Sequence, residues 1–454
     1  MRSKQDSTVT MITVFANFFI ISLPSRIKFL SLKYIRNMSK LLFLFDESGK
    51  FCVRVSEKGF CCTCEEFGVS PSKIIALNYL DSEPKAGRLI LIERKETSFL
   101  YTVKVSDTAK SIGAVNTIVN NGGSLYGYNT DFSGMTALIK RANIKLSGKK
   151  VLVLGSGGTS KTAVAVAKSL GALSVYRVSR GGNDGALTYE QAYDLHRDTN
   201  IIINTTPCGM YPNIGKSAVD MNRFPSLSGV VDAVYNPLKS KLVVDAENAG
   251  IPAVGGLYML VAQAAFAAEK FTGGSIPCTE IERVYKKLLK DKENIVLIGM
   301  PGCGKTTIGR AVAEELNMSF IDTDDEIVKE TGKEIPVIFE KTGEDGFREL
   351  ESRIIARVSA VQGAVIATGG GAILRRYNID LLKENGVIMF IDRPLEKLVT
   401  TDNRPLSKTR ELLKKRYDER YGLYNKSADI TINADDDLRK NINQVKREFT
   451  ECEF

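Results

Sequence analysis

Histidine is nearly absent from this sequence, since His196 is the only one among 454 residues. It lies in the stretch AYDLHRDTN just before an expected strand, and we predict a surface residue rather than a catalyst. Acid–base chemistry in this chain must therefore use Lys, Asp or Arg. The eight cysteines also lack a framework, because the C-x-x-C of Cys61 and Cys64 has no second pair and no nearby histidine. Reduced thiols in a cytosolic protein are expected, not a zinc site.

Membrane-length apolar runs and blocks of basic residues are missing too. The apolar stretch TMITVFANFFIISLP at residues 10–24 is too short to span a bilayer, and no small-residue cleavage site follows it. A buried strand or a misassigned start is expected there rather than secretion. The net charge is +9, but the basic residues are spread along the chain. We therefore expect anionic small molecules as partners, no nucleic acid, no membrane and a cytoplasmic location.

The chain length and its alternating patterns predict several α/β domains. A chain of 454 residues is too long for one ordinary core, and 43% hydrophobic with 25% charged residues is typical of globular proteins. Short apolar runs alternate with helical stretches from about residue 111, which is typical of parallel, doubly wound sheets. The predicted strands lie at 149–155, 174–179, 200–206 and 229–235, with a closing helix at 257–272, and then at 294–299, 319–322, 364–368, 387–392 and 429–433.

The first glycine-rich turn, GSGGTSKT, follows the apolar run VLVL. A phosphate loop for ATP needs glycine directly before its lysine, where this turn has Ser160. A dinucleotide loop fits better, because Gly155 permits the tight turn and Gly157 lets the backbone approach a pyrophosphate at the helix N-terminus. Arg177 and Arg180 stand where an acidic residue would select NAD, so NADP is favoured, with exposed loop arginines as the alternative.

Five stretches around this turn occur together in one order. They are SIGAVNTIV at 111–119, GYNTDFSG at 127–134, INTTPCGMYP at 203–212, VDAVYNP at 231–237 and GGLYMLVAQAA at 255–265. In combination they resemble shikimate dehydrogenase over about residues 111–270. The resemblance implies a Rossmann-like NADP domain beside a substrate-binding α/β region, and reduction of 3-dehydroshikimate to shikimate with NADPH.

The same resemblance implies site residues, and it also shows departures. The family's V-T-x-P-H-K-E motif is LILIERKE here, and no Ser-x-Ser-Pro stretch occurs in residues 1–60. A lysine beside an aspartate can be tuned to protonate the reduced carbonyl. The implied residues are Lys95 and Asp131 in catalysis, Asn116 and Gln263 on the substrate's hydroxyls, and Gly155, Gly157, Gly158, Arg180 and Gly256 on the cofactor.

A second glycine-rich turn, GMPGCGKTT, has the complete G-x-x-x-x-G-K-T spacing between an expected strand and helix. Such a loop cradles nucleotide phosphates with backbone N–H groups, while Lys305 reaches the β- and γ-oxygens and Thr306 holds Mg²⁺. Asp322 and Asp324 stand two residues apart at a strand end. One could serve the metal and the other an acceptor hydroxyl.

The stretches FIDTDDEI, GFRELE, ATGGGAIL and NRPLSKTRELLKKRYDERYGLY follow that loop. In this order they resemble shikimate kinase over about residues 294–433. The resemblance implies transfer of the γ-phosphoryl group of ATP to the 3-hydroxyl of shikimate, although the arginine common before RPL is absent. The implied residues are Asp324 and Lys305 in catalysis, Asp324, Arg348, Gly370 and Arg420 on shikimate, Gly302, Cys303, Gly304, Lys305, Thr306, Thr307 and Arg404 on the nucleotide, and Thr306 and Asp322 on Mg²⁺.

The two resemblances together predict a bifunctional enzyme. The product of its first reaction is the phosphoryl acceptor of its second reaction. The predicted boundaries are a dehydrogenase substrate-binding region at 1–125, an NADP domain at 126–285, a linker at 286–293 and a P-loop kinase domain at 294–454. An active kinase carrying an impaired dinucleotide module is the alternative. A kinase for another polyol is a further one, although Asp324, Arg348 and Arg420 argue against it. Monomer and homodimer both stay open.

Overall fold

The structure is a computed structural model, and it describes residues 103–121, 124–183, 185–398 and 409–451, with the backbone alone at 43–45, 51–54 and 89–90. Within these residues no helix is long and apolar enough to cross a membrane. The chain forms two compact units. The first contains residues up to Ser133 and the segment Gln263–Ser275, and the second contains Gly134–Ala262 and Ile276–Phe454.

The first unit contains two small sheets. An antiparallel sheet joins β1, β2 and β3 in sequence order, and a mixed sheet has the order β4-β6-β5, with β6 parallel to β4 and antiparallel to β5. Ser106 caps the short helix α1, and Gly113 ends it in the left-handed conformation. The bounds are β1 Phe43–Phe45, β2 Phe51–Arg54, β3 Leu89–Ile90, β4 Val103–Val105, α1 Asp107–Ile112, β5 Thr117–Asn121, β6 Ser124–Tyr128 and α2 Thr130–Arg141.

The second unit begins with a five-stranded, fully parallel sheet of order β11-β10-β9-β7-β8. Its central strands are buried apolar runs, as expected where helices cover both faces of a sheet. The bounds are β7 Lys150–Leu154, α3 Gly158–Ser169, β8 Ser174–Val178, α4 Tyr189–Leu195, β9 Ile201–Asn204, β10 Gly229–Asp232, α5 Lys241–Asn248, β11 Ala253–Val254, α6 Leu257–Thr272 and α7 Cys278–Lys292. The residues of α6 from Gln263 onward belong to the first unit.

A second parallel sheet in the same unit has the order β13-β14-β12-β15-β16. All five residues of β12 are buried, and its four apolar residues, at 295–298, join one apolar core with the flanking helices. The bounds are β12 Asn294–Ile298, α8 Lys305–Leu316, β13 Ser319–Asp322, α9 Thr323–Thr331, α10 Ile335–Val358, β14 Ala364–Ala367, α11 Arg376–Lys383, β15 Gly386–Asp392, α12 Arg410–Ser427, β16 Ile430–Asn433 and α13 Leu438–Glu451.

The two parallel sheets of the second unit meet through direct contacts. The turn after α11 supplies Glu384, whose Oε1 accepts from the Gly215 N–H at 2.9 Å and whose carbonyl accepts from the Lys239 N–H at 2.8 Å. The Asn385 Oδ1 accepts from the Leu238 N–H at 3.0 Å. These hydrogen bonds join chain segments more than a hundred residues apart in sequence.

The strands predicted from the apolar runs are confirmed in both parallel sheets, and the closing helix spans the predicted residues, Leu257–Thr272. The segment 286–292 forms the last turns of α7. The prediction that His196 lies at the surface is wrong. His196 is the residue that ends α4, and it is only 9% exposed. Its ring is covered by the ring of Tyr176 on β8, at a centroid distance of 4.1 Å. Burial and nearby Lys150 lower the pKa of this histidine.

Candidate functional site

The complete glycine loop lies at the carboxyl end of β12, where it turns directly into α8. Gly299 and Gly304 have φ values of 149° and 101°, which side chains rarely adopt. A side chain at Gly299 would also lie 2.8 Å from the carbonyl oxygen of Ile391. The sequence therefore needs glycine at these two positions, and the loop backbone stays free to surround a phosphate.

Lys305 begins α8 and reaches back over the loop. Its Nζ donates to the carbonyl oxygens of Gly299 at 2.9 Å and Met300 at 3.1 Å, and the residue is only 8% exposed. The Cys303 Sγ lies 3.8 Å from the same Nζ and is buried. The lysine charge is thus held inside the loop, where phosphate oxygens of a nucleotide would be placed.

Two oxygen-bearing side chains, those of Thr306 and Asp322, meet beside the loop. Thr306 Oγ1 donates to Asp322 Oδ2 at 2.8 Å, and Asp322 Oδ1 caps α9 by accepting from the Asp324 N–H at 3.0 Å. Asp322 is the last residue of β13, so the strand end and the helix start fix its carboxylate. Hydroxyl and carboxylate oxygens are the ligands that Mg²⁺ prefers, so Thr306 and Asp322 fit that ion.

Arg348, on α10, is held by two carboxylates of the same helix. Its Nη1 donates to Glu351 at 2.9 Å and its Nη2 to Glu344 at 3.1 Å. Burial works against the charge of Arg348, but these carboxylates raise its pKa above the ordinary value. Burial raises the pKa of Glu351 despite the neighbouring arginine. Arg348 is therefore a permanent cation with a fixed plane.

A glycine triplet after β14 packs closely against these groups. A side chain on Gly369 would lie 2.7 Å from both Asp324 Oδ1 and Glu351 Oε1, and one on Gly371 would overlap the guanidinium of Arg348. Three glycines in the stretch ATGGGAIL thus allow the backbone to approach the charged side chains without a steric clash.

Arg420 completes the cleft from α12. Its Nη1 donates to the Gly370 carbonyl at 3.1 Å, while its Nε and Nη2 are buried with no hydrogen-bond partner among the described residues. Burial lowers its pKa. Unsatisfied guanidinium donors in a cleft are suited to an anionic ligand.

These groups line one cleft of about 550 Å³. It brings together most kinase-side residues predicted from the sequence: Gly302, Gly304, Lys305, Thr306, Thr307, Asp322, Asp324, Arg348, Gly370 and Arg420. Arg404 lies outside the described residues. Glu344 and Glu351 are not among the residues predicted from the sequence, although their spacing of four and three residues from Arg348 on one helix is the signal for an ion pair.

The first glycine loop connects β7 to α3. Gly155 has a φ of 122°, and a side chain there would lie 2.5 Å from Thr205 Oγ1 at the end of the neighbouring strand β9. Gly157 is the N-cap of α3 and Gly158 is its first residue. Among the described residues, no side chain forms a capping hydrogen bond at this N-terminus. Ser160 replaces the third glycine and is buried, with its Oγ donating to the Gly157 carbonyl at 2.8 Å. The free helix N-terminus fits a pyrophosphate.

The two remaining residues predicted on the cofactor side lie at other strand ends. Arg180 is exposed just beyond β8, the strand next to β7. Gly256 lies between β11 and α6, with its N–H donating to the Val234 carbonyl at 2.7 Å, and a side chain there would overlap the Ala233 carbonyl. Gly256 therefore serves close backbone packing at the carboxyl end of this sheet.

The substrate-side residues of the first unit form a small network. Asn116 Oδ1 accepts from the Thr130 N–H at 2.8 Å and from Thr117 Oγ1 at 3.0 Å, which turns its amide nitrogen toward Asp131. Burial raises the pKa of Asp131, and the hydrogen bond from Asn116 partly lowers it. Gln263 is half-buried on α6. Lys95 lies outside the described residues.

Comparison with known proteins assigns families to both halves. The shikimate kinase family model matches residues 301–450. A shikimate kinase of Clostridium beijerinckii is 48% identical over 159 residues, which cover 34% of this chain and 94% of that protein. A shikimate dehydrogenase (NADP(+)) of Clostridium perfringens is 34% identical over 212 residues, covering 44% of this chain and 78% of that protein. The chain belongs to both families.

It is thus a fusion of a shikimate dehydrogenase and a shikimate kinase, with the kinase part at the C-terminal end. A shikimate kinase of Caldicellulosiruptor bescii, 46% identical over 150 residues, covers 32% of this chain and 87% of that protein. The matched kinase region contains the phosphate loop, the glycine triplet and α12, so the cleft described above lies inside it.

Proposed function

We propose that this chain catalyses two consecutive reactions: reduction of 3-dehydroshikimate to shikimate with NADPH, then phosphorylation of shikimate at its 3-hydroxyl with ATP. The observation that carries the second reaction is the single cleft that joins a nucleotide phosphate loop to two arginines and an aspartate. The first reaction is supported by the Asn116–Asp131 network and by the dinucleotide loop, which leads into a helix, α3, whose N-terminus has no side-chain cap among the described residues. Because the first product is the second acceptor, one substance connects the two activities.

In the kinase cleft, positioning and charge neutralisation do most of the work. Lys305 and the loop N–H groups hold the β- and γ-phosphates. Thr306 and Asp322 would hold Mg²⁺, which would supply charge neutralisation on the transferring group. Arg348 and Arg420 bind the carboxylate of shikimate. Asp324 accepts a hydrogen bond from the 3-hydroxyl and takes its proton as the oxygen attacks the γ-phosphorus, while the bond from that phosphorus to the β,γ-bridging oxygen breaks and ADP leaves.

In the dehydrogenase part, Asp131 and Lys95 act at the carbon that receives the hydride. Lys95 donates a proton to the carbonyl oxygen of 3-dehydroshikimate as the nicotinamide supplies the hydride. Asn116 and Gln263 bind ring hydroxyls, and the orientation of Asn116 is set by its contacts with Thr117 and Thr130. The proposed dehydrogenase reaction thus uses no histidine.

Cofactor binding in this part rests on the turn at Gly155, Gly157 and Gly158. The N-terminus of α3 faces the pyrophosphate, since no side chain occupies that position in the described helix. Arg180 neutralises the 2′-phosphate that distinguishes NADP from NAD.

The test uses two single variants of the full-length chain. Shikimate-dependent reduction of NADP⁺ is followed by the absorbance of NADPH, and ATP-dependent phosphorylation of shikimate is measured on the same sample. Asp131→Asn should lower the first rate by about 10²-fold or more and leave the second unchanged. Lys305→Met should abolish most of the phosphorylation of shikimate and leave the reduction of NADP⁺ unchanged.

Each variant is therefore the folding control for the other. A wild-type chain that phosphorylates shikimate but reduces no NADP⁺ would contradict the dehydrogenase assignment. Such a protein would be a kinase carrying a dinucleotide fold without turnover. A chain that phosphorylates other polyols as well as it phosphorylates shikimate would contradict the acceptor assignment.

A further inference from the structure

A buried phenol that the proposed mechanism does not use contacts Gly370, one of the residues that line the kinase cleft. Tyr424 lies on α12, one turn after Arg420, and is fully buried. Its ring stacks on Phe390 of β15 at a centroid distance of 5.2 Å and an interplanar angle of 10°. Its Oη donates to the Gly370 carbonyl at 2.5 Å. A ring held by such packing presents its hydroxyl in one direction only.

The Gly370 carbonyl receives a second donor, Nη1 of Arg420, at 3.1 Å. A carbonyl oxygen has two lone pairs, so the two donors satisfy it completely. Gly370 also packs against the phosphate loop, since a side chain there would lie 2.8 Å from the ring of Pro301. One peptide group thus connects the acceptor loop, the phosphate loop and α12.

Arg420 gains its orientation from this shared carbonyl. Its Nε and Nη2 have no hydrogen-bond partner in the part of the chain that the structure describes, and they remain available to a ligand. The carbonyl is therefore the anchor of a side chain that lines the cleft and has two donors without a protein partner among the described residues. If the anchor shifts, the guanidinium plane shifts with it, and a bidentate contact with a carboxylate is lost.

We infer that Tyr424 is a positioning residue for the acceptor: its hydroxyl fixes the Gly370 carbonyl, and through it the plane of Arg420 that receives the shikimate carboxylate. The inference rests on the proposed kinase function and deepens it. Tyr424 touches no reacting atom and transfers no proton. Burial raises the pKa of its phenol above the ordinary value, which is consistent with a neutral donor.

The variant Tyr424→Phe removes only the hydroxyl and keeps the ring stacked on Phe390. Tyr421→Phe is the matched control, because it removes a hydroxyl on the same helix that donates instead to Asp392 Oδ2 at 2.8 Å. Steady-state kinase rates with the full chain give KM for shikimate, KM for ATP and kcat separately. Shikimate binding by calorimetry gives Kd without turnover.

Loss of one hydrogen bond to the anchor should raise KM and Kd for shikimate about threefold to tenfold in Tyr424→Phe. KM for ATP should change by less than about twofold, and Tyr421→Phe should leave the shikimate constants unchanged. A merely structural role would move both KM values together, or lower thermal stability with no KM effect, and either result overturns the inference.

The proposed function and this inference fail in distinguishable ways. If the wild-type chain neither binds nor phosphorylates shikimate, the kinase assignment falls and the inference falls with it. If the wild-type chain does both, and Tyr424→Phe has the wild-type Kd for shikimate, the inference alone is wrong.

Discussion

The buried carboxyl of Glu384 predicts a stability change with pH at the contact between the two parallel sheets. Glu384 is 1% exposed, and its Oε2 has no hydrogen-bond partner among the described residues. Burial raises its pKa from 4.5 to about 8, opposed by the Gly215 N–H and by Lys241, while the carboxylates of Asp245 and Asp380 add to the rise. The carboxyl is therefore protonated in the folded chain at neutral pH.

The sign of the effect follows from proton binding. The folded state binds one more proton than the unfolded state between pH 4.5 and about 8, so stability falls as pH rises through that window. Between about pH 6 and about pH 9 the two pKa values imply a loss of about 2.5 kcal/mol in the free energy of unfolding. Above the folded pKa the loss is complete and stability no longer depends on this group.

The perturbation is Glu384→Gln, which keeps the shape and the acceptor for the Gly215 N–H but cannot ionise. Urea unfolding at about pH 6, 7.5 and 9 is followed by circular dichroism, because the chain has no tryptophan. The wild-type chain should lose about 2.5 kcal/mol more than the variant over this range. All other titrating groups are common to both proteins and cancel.

Glu247→Gln is the matched control. Glu247 pairs with Lys239 at 3.0 Å near the same contact, and its side chain is 37% exposed. Its removal should leave the pH dependence of the wild type unchanged. If Glu384→Gln and the wild type lose stability in parallel as pH rises, within about 0.5 kcal/mol, the carboxyl is not protonated in the fold and the reasoning fails.

Three further predictions concern the two sites. Gly371→Ala should raise KM for shikimate about tenfold with little change in KM for ATP, since the new methyl group would overlap the Arg348 guanidinium; an unchanged KM would refute this. Glu351→Gln should also raise KM for shikimate severalfold, because Arg348 loses its buried counter-charge at 2.9 Å, and calorimetry should show weaker binding. Arg180→Ala should raise KM for NADP⁺ about tenfold and leave KM for NAD⁺ unchanged; equal effects on both cofactors would contradict a 2′-phosphate contact.

Much of the fold follows from local sequence patterns. The apolar runs marked both parallel sheets, because a strand covered by helices on both faces has no polar alternation and is short. The glycines of the two loops marked the strand–helix turns, because Gly155, Gly299 and Gly304 have backbone angles that side chains rarely adopt. The order of the motifs around the first loop and after the second was sufficient to suggest both families.

The contacts that shape the sites were less accessible to sequence reasoning. Glu351 stands three residues from Arg348, yet local spacing cannot say that this ion pair is buried rather than solvated. His196 looked like a surface residue because polar neighbours surround it in sequence, whereas its ring is covered by Tyr176 from a neighbouring strand. Burial is a property of the packed chain, and a window of sequence does not contain it.

The sequence by itself determined which chemistry this protein carries: two glycine loops of different spacing, the acidic pair Asp322 and Asp324, and the arginines. Tertiary structure alone decided how that chemistry is held. The Gly370 carbonyl meets Tyr424 from 54 residues away, and the carboxyl group of Glu384 meets Gly215 from 169 residues away. Such partners are chosen by how helices pack on sheets, since the free energy of a buried hydrogen bond depends on the surroundings that exclude water from it.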